Sequence, residues 1–277
     1  MSQSHRFTLE VSINSVACDI TVNDVPIVRN YSGNRIDMKI PVSDFMRSGR
    51  NTVAIRSMID RSEGGFSAAR ATATLLATPY AQTDWQALFS VATRAVVGGE
   101  GETTNTPGES LLGPVTPQSA SYDADIMILE TSRSVDLYAS LPTWAWQGGD
   151  AIPELEEVTG SLVVWYRRFL DLLKARRIDV VSRLLAEKIS ELSLAHNLAG
   201  GLVESEVGLS GAMTEDGLTL RPPDWDSLVP EYAAANRLVR LYHPRNGAVV
   251  SYLNPIGVIH TYDFWLRRGP SDWIIAR

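Results

Sequence analysis

Apolar and polar residues alternate through the first quarter of the chain. Phe7, Leu9, Val11 and Ile13 are separated by polar neighbours, the period of a half-buried strand. Ala17–Val22 is a second strand, closed by Asn23-Asp24 and returning through Val25–Val28. Ile36, Met38 and Ile40 alternate again. Ser48-Gly49 then turns into the strand Thr52–Ile55, and Ala71–Ala77 is a further candidate. Short strands at this spacing predict an antiparallel β-sandwich. Ala124–Leu129 and Ser134–Tyr138 extend it, and Leu141–Asp150 reads as a junction.

From Pro153 the period changes. Leu155, Val158, Leu162, Tyr166, Phe169 and Leu173 recur every three or four residues, as on an amphipathic helix. Glu154, Glu156 and Glu157 suit its N-terminal dipole. Val181, Leu184, Leu185, Ile189 and Leu192 form a second stripe, with Asp179 as N-cap and Gly200-Gly201 as stop. Residues 202–224 read as loop. Arg237–Tyr242, Val249–Leu253, Ile259–Arg267 and Trp273–Arg277 then predict a four-stranded antiparallel meander, with Asn246-Gly247 its clearest turn. The expected class is α+β. A β-sandwich domain over 1–145 is followed by a helical hairpin and curved meander over 153–277.

Two resemblances follow from these pieces. Val22-Asn23-Asp24 and Gly49–Ile55 resemble the paired turns of galactose-binding-like jelly rolls, with Asp24 where glycine is usual. The hairpin Tyr166–Leu185, the turn Leu241–Gly247, and Tyr262–Arg268 with Trp273–Arg277 resemble NTF2-like (SnoaL-like) α+β domains. That resemblance implies a curved sheet wrapped on helices around a conical pocket. Its members include isomerases, dehydratases, binding modules and dimerisation domains, so it does not fix an activity.

Composition narrows the classes. The chain has 277 residues, a net charge of −7 and 44% hydrophobic residues, the profile of a folded protein. No apolar run reaches the length of a membrane span. The first eight residues lack the apolar core of a signal peptide, so a cytoplasmic protein is expected. Neither half has a basic footprint, which argues against nucleic acid as a partner. The single cysteine, Cys18, cannot form an internal disulfide and reads as packing. Three lysines stand against 22 arginines, as in a GC-rich bacterial coding sequence. Arginine also suits planar protein contacts. Residues 98–121 hold three prolines and no Lys or Arg, and predict a flexible excursion or a binding loop.

Candidate chemistry is sparse. No two of His5, His196, His243 and His260 are four apart, and nucleophile-elbow, P-loop and dinucleotide motifs are missing, so no cofactor or metal is expected. NTF2-like enzymes often place an Asp–His pair in the cone. Here His260 and Asp263 are three apart on one strand, hence on opposite faces. His260 shares its face with Tyr262, and Asp263 shares the other with Trp265. These four are the pocket candidates, and His260 reads either as a base or as a hydrogen-bonded core histidine. Asp171 and Asp179 are alternative acids. Six of the seven tryptophans follow residue 143. Trp144 and Trp146 read as a lock at the junction or as a partner site, and Trp225 and His243 complete the binding candidates.

The leading expectation is a non-catalytic bacterial protein-binding or accessory protein, such as an immunity protein that neutralises a cognate toxin. A protein partner or a homo-oligomer goes with it. The alternative is an NTF2-like small-molecule-binding enzyme of isomerase, dehydratase or hydrolase type, with its ligand in the C-terminal cone. A third reading is a carbohydrate-binding module in the first half.

Overall fold

A computed structural model of the chain describes residues 5–58, 69–80, 82–94, 108–110, 112–123, 128–198, 200–244 and 247–277. Among the described residues the fold is mixed α+β, 25% helical and 44% strand, with several antiparallel sheets and four helices. It divides into two compact units, Met1–Thr143 and Trp144–Arg277.

The first unit holds β1 (His5–Asn14), β2 (Cys18–Val22), β3 (Val25–Asn30), β4 (Ile36–Pro41), β5 (Gly49–Met58), β6 (Arg70–Pro79) and β7 (Gln86–Arg94). They are followed by β8 (Gly108–Ser110), β9 (Gly113–Val115), β10 (Ser119–Asp123) and β11 (Ile128–Leu137). One sheet runs β4-β1-β6-β7; the other runs β3-β2-β5-β11-β9-β8, with β10 also on β11. The alternation along β1 puts Phe7, Leu9, Val11 and Ile13 into the core and Glu10 and Ser12 outside. Ile20, Val22, Val53 and Ile55 of the other sheet belong to the same apolar cluster.

The two turn motifs noted in the sequence meet in space. Asn23 and Asp24 both take left-handed φ values, 50° and 66°, as a tight two-residue hairpin requires. The buried Asn23 amide donates to Asn51 Oδ1 at 2.9 Å and to the Phe45 carbonyl at 2.8 Å. Its own Oδ1 accepts from the Thr52 N–H at 3.0 Å. Asn51, also buried, donates to the carbonyls of Arg47 and Gly49. Two buried amides thus satisfy each other and the backbone of both turns, which such groups require.

Part of the expected 98–121 excursion is strand. Residues 98–107 and 111 lie outside the described residues, but β8, β9 and β10 pair into the larger sheet. Gln118, buried, donates to the Ala92 carbonyl and accepts from its N–H, both at 3.0 Å, and so supplies β7 with one rung of a ladder. Gly113 approaches β11 so closely that a Cβ would lie 1.8 Å from the Asp136 carbonyl oxygen. Polar and glycine-rich composition concealed these strands because their contacts are made by backbone and amide groups.

Cys18 is buried in the core, and burial together with the neighbouring Asp19 carboxylate pushes its thiol up to about 12. A protonated, enclosed thiol is a poor nucleophile. The native protein is expected to be inert to Ellman's reagent at mildly alkaline pH and to release one equivalent of dye in guanidinium. Reaction of the native thiol within minutes would contradict this placement.

The second unit begins with α1 (Glu156–Lys174), α2 (Ile178–His196), α3 (Gly200–Val207) and α4 (Leu209–Thr214). Its strands are β12 (Thr219–Leu220), β13 (Val229–Ala233), β14 (Leu238–His243), β15 (Gly247–Ala248), β16 (Val250–Leu253), β17 (Ile259–Tyr262), β18 (Leu266–Arg268) and β19 (Trp273–Ile275). The apolar stripe of α1 buries Leu162, Trp165, Tyr166, Phe169 and Leu173. Trp165 stacks on Phe169 at 5.1 Å, and Phe169 meets Phe264 edge-on at 5.7 Å. The Tyr166 hydroxyl donates to the Phe264 carbonyl at 3.3 Å.

Three expectations change here. First, residues 202–224 are not all loop. Gly200-Gly201 opens α3, and Asn197, left-handed at φ 52°, ends α2 instead. The buried Val203, Leu209, Ala212 and Met213 show why helices form there. Second, Arg177 rather than Asp179 is the N-cap of α2; Asp179 sits in the first turn, paired with Arg177 and Arg183. Third, the meander is two sheets, β12-β16-β17 and β13-β14-β18-β19, with β15 on β14. The strand expected over 259–267 breaks at Asp263–Trp265, where Trp265 exchanges backbone hydrogen bonds with Ala276 and Arg277. Asn246 of the expected turn lies outside the described residues. No helix of the described residues is long and apolar enough to cross a membrane.

Candidate functional site

The second unit has a cleft of about 830 Å³, within the range of small-molecule sites. Its apolar floor comes from two helices. Leu170 and Leu173 of α1 and Ala212 and Met213 of α4 are buried there, with Leu218 and Leu220 half-buried beside them. Pro222 and Pro223 form a stiff wall, and Trp225 and Tyr252 close the lining with their rings.

The rim is charged, and the end of α1 sets part of it. The Arg177 N–H donates to the Leu172 carbonyl and the Arg176 N–H to the Leu173 carbonyl, a Schellman ending. Its left-handed position, φ 52°, is held by Arg176, where glycine is usual. Arg176 joins Arg167, Lys174 and Arg221 around the cleft, against one carboxylate, Asp171. Arg167 lies over the Trp225 ring, 4.9 Å from its centroid.

Tyr252 adds a polar feature. The residue is 3% exposed, and its buried hydroxyl has no hydrogen-bond partner among the described residues. Burial pushes that hydroxyl up to about 12; Tyr262 adds to the shift and Arg176 opposes it. It is therefore a neutral donor at physiological pH. Such an unsatisfied group costs about 1–3 kcal/mol.

No family model, curated protein or solved structure matches the chain. The functional reading therefore rests on geometry.

The pocket candidates from the sequence do not assemble into a base. His260 is exposed on β17, opposite Tyr252 in register, so it is neither an enclosed base nor a core histidine. Asp263 leaves the strand at the break and ion-pairs with Arg240. Arg240 also pairs with Glu231 at 2.8 Å and lies 4.3 Å from the Trp265 ring centroid. Asp263 and buried Trp265 thus belong to an arginine cage, not to the cleft. Tyr262 packs edge-on against Tyr252 at 6.0 Å and donates to the Gly208 carbonyl at 3.4 Å. Among the described residues, no group of three His, Cys, Asp or Glu is placed to hold a metal.

The binding candidates separate. Trp144 and Trp146 are 1% and 2% exposed, so neither presents a ring to a partner. Both lie near the guanidinium of Arg277 in the same unit, 5.3 and 6.0 Å from its carbon. Trp225 lines the large cleft. His243 lines a smaller one of about 290 Å³, which shares Arg221, Pro222 and Pro223 with it. In the first unit Trp85 lies beneath Arg6, 5.6 Å from ring centroid to guanidinium carbon. Asp171, named in the sequence as an alternative acid, does line the cleft. The residues missed were Arg176, Arg221 and Tyr252. The only sequence signal for them was arginine in place of glycine just after the α1 stripe.

Proposed function

We propose that the second unit is a small-molecule-binding module of NTF2-like type, and that the cleft beside α1, α4 and β12 is its site. The observation that carries this reading is an open cleft of about 830 Å³ floored by buried apolar residues of the unit's core. The first unit reads as a jelly-roll β-sandwich, supported by its two sheets over one core and by the Asn23–Asn51 turn contact. No reaction is assigned, since the cleft lacks an Asp–His pair. Buried Trp144 and Trp146 offer no ring to a protein partner.

The test uses N-phenyl-1-naphthylamine, a neutral apolar dye that brightens on leaving water. The full chain is expected to bind it saturably at one site. Thr219→Trp places a large ring on an exposed lining position and is expected to abolish that binding while leaving the unfolding midpoint in place. Failure of the dye to bind, or equal binding by the variant, would remove the cleft as a ligand site.

A further inference from the structure

We infer that the cleft selects an amphiphilic anion: a carboxylate or phosphate headgroup carried on an apolar body. This rests on the ligand-site reading above and adds the chemical class.

The cleft carries unmatched charge. Residues 151–277 carry 14 basic and 16 acidic side chains, so this half has no general excess of positive charge. Six of those acids pair with cations away from the cleft. Arg168 pairs with Asp272, Arg177 and Arg183 with Asp179, Arg240 with Glu231 and Asp263, Arg267 with Glu187, and Arg277 with Glu191. Lys174, Arg176 and Arg221 have no salt bridge among the described residues, and all three line the one cleft. Arg167 adds a fourth cation there, on the face of Trp225. The single lining carboxylate cannot neutralise four cations.

Four cations against one carboxylate leave the lining net positive, which favours an incoming anion. Arginine forks suit planar carboxylate and tetrahedral phosphate alike, which is why the headgroup class has two members. The apolar body follows from the floor, where Leu170, Leu173 and Met213 are buried around space that a small inorganic anion would leave unfilled. Arg176 lines the cleft and has no salt bridge among the described residues. Its left-handed backbone position tolerates glycine, so the side chain can be removed there without backbone strain.

The experiment displaces bound N-phenyl-1-naphthylamine from the full chain with four ligands of equal chain length: decanoate, decyl phosphate, decanol and decyltrimethylammonium. At least one anion is expected to compete at about tenfold lower concentration than decanol, with the ammonium weaker still, and high salt is expected to narrow the gap. The tighter anion identifies the headgroup. The double variant Arg176→Gly, Arg221→Gln is expected to erase the anion preference while still binding the dye, and glycine suits the α1 ending, so the fold is retained. Equal competition by decanol and both anions would overturn the inference while leaving the cleft as a ligand site. An unchanged preference in the double variant would overturn it too. Failure of the dye to bind at all would instead remove the underlying reading.

Discussion

Arg240→Leu is expected to lower the unfolding free energy of the second unit by about 3 kcal/mol, the low end of what breaking a buried ion pair costs. The Arg240 side chain is 4% exposed on β14. It sits between Glu231 across the β13–β14 ladder and Asp263 at the break between β17 and β18. Its guanidinium also covers Trp265 at 4.3 Å and Tyr242 at 5.1 Å. Leucine removes the charge-assisted bonds and the cation–ring contacts together. It also leaves two carboxylates near each other without the cation between them. Urea unfolding followed by tryptophan fluorescence should show a midpoint lower by about 1 M or more, given slopes of about 1–3 kcal/mol/M for small domains. Asp263→Asn should cost far less, because Asp263 is half-exposed and water replaces the lost partner. That asymmetry separates the cage from a reading of Asp263 as a functional acid. An Arg240→Leu midpoint matching the unsubstituted chain would show that the cage does not hold the strand break together.

Much of this architecture was legible from periodicity. The alternation in β1 and β5 and the stripes of α1 and α2 each have one buried face, and a one-sided burial pattern is what sequence reports best. Helices α3 and α4 were less visible because each is shorter than two full repeats of its stripe, and glycines punctuate them. The break at Asp263–Trp265 was invisible for a different reason. Ile259–Arg267 has good strand composition throughout, and what interrupts it is pairing of Trp265 with residues 276 and 277. Parity along an unbroken strand therefore holds for His260 and Tyr262 but does not carry on to Asp263 and Trp265. Tryptophan clustering left both readings of Trp144 and Trp146 open, since the sequence does not distinguish a buried ring at 1% exposure from an offered one. The cleft was the least legible feature. Its cations come from the end of α1, the turn after it and the β12 segment, and each is an ordinary surface residue alone. Their meaning depends on which other arginines have taken the acids, and that is a property of the folded unit.

Glu191→Gln is expected to cost about 3 kcal/mol or more, although the side chain keeps its shape. Glu191 on α2 is 14% exposed and Arg277 only 1%. One carboxylate oxygen accepts from the Ala145 N–H at 2.6 Å, and the other pairs with Arg277. Glutamine preserves an acceptor for Ala145 but takes away the counter-charge of an enclosed guanidinium. A buried charge that loses its partner carries its desolvation cost uncompensated. Arg277 has fallback contacts, the Ala276 carbonyl at 2.7 Å and the faces of Trp144 and Trp146, but these are dipoles and quadrupoles rather than a full charge. The double variant Glu191→Gln, Arg277→Met is therefore expected to be more stable than Glu191→Gln alone, because methionine fills the space between the two indoles without a charge to solvate. A double-mutant cycle measured by urea unfolding reads this directly. Additive losses, with the double variant the least stable of the set, would mean that the pair contributes no coupling and that the two tryptophans are held by apolar packing alone.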